Sequence, residues 1–345
     1  MLGGRCRHWR AHWPRIAVGL VLAACRGAQP DDPDRGGATA DSTGRAPVRM
    51  VEYEARVPVD SEVTLHGVLS LPASRSGAVG AVLLVAGSGP QDRDGARTEL
   101  PGYAPWRDVR DALVQHGLAV LRLDDRGVGA STGRFAGATT DDFAADARAA
   151  LVWLGARAEV DHRRMAIVGH SEGAVVSLLV AARTADVRAL VLLGAPSRTG
   201  REIAAWQRQT LVASDRARWP PAERAAVLAT ASAQADSLAA HDPWLHRWFS
   251  LDPRAIARDV RTPVLLIHGA NDRQVPPDQA DELATALRGA GASPVEVQHF
   301  GDTDHLLLVD HDGDPQGYVR LADRHIRPAV LRALTRFLSV HVGPR

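Results

Sequence analysis

From residue 48 onward, short apolar runs alternate with longer stretches whose apolar residues recur every three to four positions. Residues 48–58 and 63–71 alternate apolar with polar side chains. That period of two fits strands with one solvated face and predicts an antiparallel opening pair. Residues 81–86, 118–123, 165–168, 189–193 and 264–267 are instead nearly continuous apolar runs. Runs of that length suit strands buried on both faces. Residues 295–300 alternate again and predict a last strand. Helical periodicity fills the gaps. A helix is expected over 106–116, stopped by Gly117. Another, capped by Asp141 or Asp142, runs to Leu154, and an amphipathic helix over 326–340 closes the chain. Strands alternating with helices imply an α/β class with a mostly parallel sheet covered on both faces.

One connection breaks this rhythm. The segment at about 198–260 is far longer than the usual link of about 2–6 residues. It holds Trp206, Trp219, Trp244 and Trp248, half of the chain's eight tryptophans. Residues 221–240 have strong helix propensity. The segment reads as a helical cap insertion over the site, able to exclude water and supply an apolar pocket.

The chemistry concentrates in Gly169-His170-Ser171-Glu172-Gly173. This G-x-S-x-G follows an apolar strand run and precedes the helix-like run from Ala174 to Val180. In that context it marks a sharp strand-to-helix turn that exposes a serine hydroxyl. A nucleophilic serine needs a base, and the base an orienting acid, in the chain order Ser, Asp or Glu, His. Asp272 stands three residues past the glycine that ends the 264–267 strand region, and His305 on the loop after 295–300. Both would emerge at carboxyl ends of parallel strands, where sites in such sheets form. His311 is the main rival base, in the polar loop Asp310-His311-Asp312. His170 and His268 flank strand ends as structural or lining residues, and His299 points from a strand. Asp302 and Asp304 are too near His305 in sequence to come from the preceding loop.

The chain resembles an α/β-hydrolase of the serine esterase type over most of residues 50–340. It is most similar to a bacterial esterase group marked by Gly87-Ser88-Gly89-Pro90-Gln91-Asp92-Arg93-Asp94-Gly95 after the third strand. Asp125-Arg126-Gly127-Val128-Gly129-Ala130-Ser131-Thr132-Gly133 after the fourth strand is a second mark, and Asp252-Pro253 with Thr262-Pro263-Val264 a third. The resemblance implies Ser171 as nucleophile, Asp272 as acid and His305 as base. It implies an oxyanion hole built from the backbone N–H groups of Glu172 and Ser88. It departs at Ala86, where many relatives carry histidine.

Composition narrows the alternatives. Lysine is absent, so all 41 basic residues are arginine. That excludes a Ser–Lys pair, a Walker A lysine and a lysine Schiff base. The acidic cluster Asp302, Asp304, Asp310, Asp312 and Asp314 lacks the glycine and glutamate of an EF-hand loop. No H-E-x-x-H or paired cysteine motif occurs, so no metal or cofactor is expected. A net charge of +1 without a basic block in the mature chain argues against a nucleic-acid partner.

The N-terminus carries its own signal. Arg5, Arg7, Arg10 and Arg15 precede the apolar run Ile16 to Ala24, and then comes Cys25. This predicts a signal peptide over 1–24, too short in its apolar part to span a bilayer. Leu22-Ala23-Ala24-Cys25 resembles the bacterial lipoprotein cleavage site, which implies lipidation of Cys25. Residues 25–48, rich in small and polar residues, read as a flexible tether, and 49–345 as the catalytic domain.

The expectation is an exported, lipid-anchored hydrolase of small carboxylic esters, working through an acyl-enzyme on Ser171. A serine peptidase, an acyl-aminopeptidase or a thioesterase on the same fold is the alternative. A binding lipoprotein that kept the scaffold without its chemistry is a more distant one.

Overall fold

A computed structural model describes residues 49–214 and 219–344. The predicted signal peptide, Cys25 and the tether lie outside the described residues. In chain order come β1 (Met50–Pro58), β2 (Thr64–Pro72), β3 (Val79–Val85), α1 (Pro105–Gln115), β4 (Ala119–Leu123) and α2 (Thr140–Gly155). Then follow β5 (Val160–His170), α3 (Glu172–Ala181), β6 (Val187–Leu193), α4 (Gly200–Ser214), α5 (Pro221–Ala239), α6 (Pro243–Ser250) and α7 (Pro253–Ala257). The chain closes with β7 (Val264–Gly269), α8 (Asp278–Ala290), β8 (Val295–Phe300) and α9 (Pro328–His341).

The eight strands form one sheet in the order β1-β2-β4-β3-β5-β6-β7-β8. β1 pairs antiparallel with β2, and β2 with β4; every other pair is parallel. Alternation along the central strands divides the core into two layers. Leu83, Ile167, Leu192 and Leu266 point to the face covered by α2, α3 and α8, against Leu151, Leu178 and Leu283. Val82, Val168, Val191 and Leu265 point to the other face, against Val109 and Leu113 of α1 and Leu334 and Phe337 of α9. A strand buried on both sides must be apolar at every position, which is why these runs read as continuous. All ten residues of α3 are buried.

Helices α4 to α7 occupy the long connection between β6 and β7. Their own small core joins Ala235, Ala239, Leu245, Trp248, Phe249 and Leu251, and rests on Val175 of α3. The insertion is thus seated on the helix that begins at Ser171.

Most boundaries shift by a residue or two from the sequence reading, and three of the differences have a clear cause. β5 starts at Val160 rather than Met165, because Val160 pairs with Val79 below the apolar run. Its polar stretch is held by Arg164, which bonds Asp161 at 2.8 Å and the Gly343 carbonyl at 2.6 Å. α9 starts at Pro328 rather than 326, since the Ile326 N–H is taken by the Asp108 carboxylate at 2.8 Å. The cap of α2 is Thr139, not Asp141 or Asp142. Its hydroxyl accepts from the Asp142 N–H, and the Asp142 carboxylate accepts in return from the Thr139 N–H at 2.8 Å. This capping box satisfies two backbone donors that water would otherwise serve. Thr139→Ala is expected to lower the unfolding free energy by about 1 kcal/mol, read from urea denaturation. An unchanged midpoint would show that the box does not hold the start of α2.

Candidate active site

Ser171 sits where β5 turns into α3, with φ 55° and ψ −118°. A non-glycine residue held at positive φ stores strain of order 1–3 kcal/mol, and the surroundings must enforce it. They do so by close backbone approach. A Cβ on Gly169 would lie 2.3 Å from the Gly173 carbonyl oxygen, and one on Gly173 would lie 2.3 Å from that of Ala86. Neither position admits a side chain. The Ser171 N–H donates to Leu193 O at 2.9 Å, and its hydroxyl does not cap the helix it begins. The side chain is left partly exposed at the strands' carboxyl edge.

Asp272 and His305 meet on the same rim. The His305 ring donates through Nδ1 to Asp272 Oδ2 at 2.7 Å, and both residues are buried. Gly194, directly after the Leu193 carbonyl that holds Ser171, packs against both. A Cβ there would come within 3.2 Å of the His305 ring and 3.6 Å of Asp272 Oδ2. His170 ties the elbow to His305 from the other side: its Nε2 donates to the His305 carbonyl at 2.8 Å, and the two rings lie 4.8 Å apart. Burial, reinforced by the nearby His305, pushes the His170 pKa down to about 3, so this ring stays neutral and cannot compete as a cation.

The Asp272 carboxylate is unusually well served. Oδ1 accepts from the Gln274 and Val275 N–H groups at 2.8 Å each. Oδ2 accepts from His305 and also faces His268 Nε2 at 3.0 Å. Burial alone would raise its pKa, yet the two imidazoles and these hydrogen bonds hold it well below the usual carboxylate range. The sequence placed His268 at a strand end without assigning it to the acid. The rival base His311 is exposed and pairs with Asp302 at 3.3 Å, away from Asp272. His299 pairs with Asp281 at 2.8 Å on the surface.

The loop after β3 approaches the serine through Gly87, where a Cβ would lie 3.2 Å from the Ser171 Cβ. Its sequence now has a physical reading. Gln91 Nε2 bonds the Gly87 carbonyl at 3.1 Å, and the Gln91 N–H bonds Asp125 at 2.9 Å. Arg93 chelates Asp124 through Nε at 3.0 Å and Nη2 at 2.5 Å. Arg126 is bidentate to Asp146 at 2.8 Å. The loops after β3 and β4 therefore brace one another. Ser88 stands within this braced turn, and Glu172 follows Ser171 across from it. The Glu172 carboxylate is buried and accepts from Thr140 Oγ1 at 2.7 Å and Trp244 Nε1 at 2.8 Å. Burial raises its pKa against the pull of these donors. A cavity of about 60 Å³ borders Gly87 and Glu172, with Phe135 and Phe143 on its wall. A wider open groove, about 650 Å³, lies instead at the far end of β6, around Arg183 and Arg188. Among the described residues no cluster of metal-ligating side chains occurs.

Comparison with known proteins follows the same lines. A family model described as "Serine aminopeptidase, S33" matches residues 106–312. Esterase EstD of Thermotoga maritima is 26% identical over 313 residues, spanning 83% of this chain and 70% of that protein. An uncharacterized protein of Mycobacterium tuberculosis is 31% identical over 238 residues, 68% of this chain and 66% of its own length. Among solved structures, the Pyrococcus furiosus esterase Pf2001 superposes with a TM-score of 0.59 at 17% identity, covering 85% of this chain and 92% of that one. Est1E from Butyrivibrio proteoclasticus, with ferulic acid bound, gives 0.55 at 15% identity, covering 84% and 99%. The architecture is the α/β-hydrolase fold.

A buried group next to His305 is expected to couple stability to pH. Asp304 is fully buried, and one of its carboxylate oxygens accepts from the Leu308 N–H at 2.9 Å while the other has no partner. Burial pushes its pKa up to about 7, with Asp310 and Asp272 adding repulsion. A raised carboxyl pKa contributes stability below its unfolded value of about 3.9, and that contribution is lost as pH rises through about 7. Asp304→Asn keeps the acceptor for Leu308. It is expected to flatten the fall in melting temperature across pH 4 to 7, measured by calorimetry. An identical pH slope in the variant would remove Asp304 as the titrating group.

Proposed function

Because the chain belongs to the serine aminopeptidase S33 family of α/β hydrolases, we propose that it is a serine hydrolase that cleaves small carboxylic esters through an acyl-enzyme. Ser171 attacks the ester carbonyl. His305 accepts the hydroxyl proton and returns it to the leaving alcohol. Asp272 holds the imidazole in the tautomer with Nδ1 protonated and stabilises its cation. The N–H groups of Glu172 and Ser88 receive the oxyanion, an interaction worth about 10²–10³ in rate per donor. Water then takes the alcohol's place, and the same proton path releases the acid. No cofactor enters these steps.

The observation that carries this reading is the 2.7 Å bond between His305 and Asp272 on the rim occupied by Ser171. The esterase names of several relatives support the substrate class. The family description favours a second reading, peptide or acyl-peptide cleavage on the same machinery. Thioester cleavage would use it as well. Turnover of matched p-nitrophenyl ester, thioester and p-nitroanilide substrates separates the three. Ser171→Ala is expected to lower ester kcat by about 10⁶-fold, as loss of the nucleophile does in comparable triads. Near-normal turnover by that variant would exclude Ser171. Failure of a fluorophosphonate to label the wild-type serine would favour a binding protein instead.

The run Leu22-Ala23-Ala24-Cys25 after a basic, apolar leader supports export and lipid anchoring at Cys25. Multiple acyl chains would hold the protein at a membrane, each buried CH₂ contributing about 0.8 kcal/mol. Cys25→Ser, expressed in a bacterium that processes lipoproteins, is expected to move the protein from the detergent phase to the aqueous phase. Retention in the detergent phase would exclude this anchor.

A further inference from the structure

The carboxylate of Glu172 has no place in the proton path, yet it is buried next to the nucleophile. It is 2% exposed. Its donors come from two separate segments: Thr140 at the start of α2 and Trp244 on α6 of the insertion. A buried carboxylate is costly unless such donors are held in place. Its position in the first turn of α3 also favours negative charge.

Both donors matter to the rim, because Glu172 itself carries one of the two backbone groups assigned to the oxyanion. Trp244 stacks on Trp248 with ring centroids 6.2 Å apart and planes 6° from parallel. Trp248 in turn is buried in the core of the insertion. Arg247, on the same short helix, pairs with Asp141 at the start of α2. Helix α6 is therefore fastened at two points to the elements around Ser171, and one of those points is Glu172.

Resting on the reading of Ser171 as nucleophile, we propose that the Glu172 carboxylate is a positioning group. It locks the insertion, through Trp244, and the start of α2, through Thr140, to the elbow, so that the Glu172 N–H assigned to the oxyanion is set before substrate arrives. Preorganised donors act on charge that develops only in the transition state. Losing the lock should therefore appear in kcat more than in KM. Misplacement of reacting groups by about 1 Å can cost about 10²-fold, which sets the expected scale.

The test uses two single-residue variants of the full chain and their combination. Glu172→Met keeps the side-chain length but deletes the oxygen that accepts from both Thr140 and Trp244. Trp244→Phe keeps a ring in place and deletes only the N–H. Each is assayed with p-nitrophenyl acetate and p-nitrophenyl octanoate, with thermal melting and fluorophosphonate labelling rates in parallel. The expected result is a fall in kcat of about 10- to 100-fold in Glu172→Met, with KM for the acetate within about twofold. Trp244→Phe is expected to fall in the same direction, and the double variant to be little worse than Glu172→Met, because both remove one coupled interaction. Labelling should slow in step with kcat in variants that still melt cooperatively. Unchanged kcat in a cooperatively melting Glu172→Met or in Trp244→Phe, or effects of the two substitutions that simply multiply, would overturn the proposal. If Ser171→Ala remained active, the underlying reading would fail instead, and that control separates the two.

Discussion

Three backbones meet at the centre of this protein with no room for a side chain between them. The end of β5, the start of α3 and the end of β3 approach so closely that Gly169, Gly173 and the Ala86 carbonyl define one contact. That contact holds Ser171 at a backbone conformation it would not adopt alone. The strain is sustained because α3 is buried along its whole length and cannot relax outward. Two apolar layers, one on each face of the sheet, hold the strand and helix in place. The rim chemistry follows from this arrangement: the parallel strands on either side deliver their loops to the same edge.

Around that edge, charge is handled by saturation. Asp272 lies in the interior and remains ionised because backbone and imidazole donors fill its oxygens. Glu172 also draws side-chain donors from distant segments, although burial raises its pKa. His170, with no carboxylate partner of its own, is kept neutral by burial and gives its N–H to the His305 backbone. The polar side chains beside Ser171 are thereby fixed in place. Asp304 departs from the pattern, with one oxygen left without a partner.

Much of this was legible in the chain. The continuous apolar runs located the parallel strands, because burial on both faces leaves no polar position to confuse the pattern. The glycines of the pentapeptide signalled a close approach. Asp272 and His305 stood out since each follows a strand that points at the same edge. Other features depend on contacts between residues far apart in sequence, and no local period encodes those. His268 turns toward Asp272 only because β7 ends in a tight loop. The bond from Trp244 to Glu172 joins residues 72 positions apart, and the tryptophans of the insertion differ sharply in role. Trp248 is core, while Trp206 is 37% exposed. Thr139 escaped notice because Asp141 and Asp142 advertise capping more loudly than a threonine two residues earlier.

The insertion is unevenly built. α6 buries Leu245, Trp248 and Phe249 in eight residues, whereas α5 buries only Ala235 and Ala239 in nineteen. α5 is joined to α4 through the exposed pair Arg201 and Asp236. Packing therefore constrains a much larger share of the side chains in α6 than along the outer span of α5. Amino-acid changes along that outer span thus cost little folding free energy. The stretch fastened to Glu172 is held to one shape, while the outer helix is free to drift over generations.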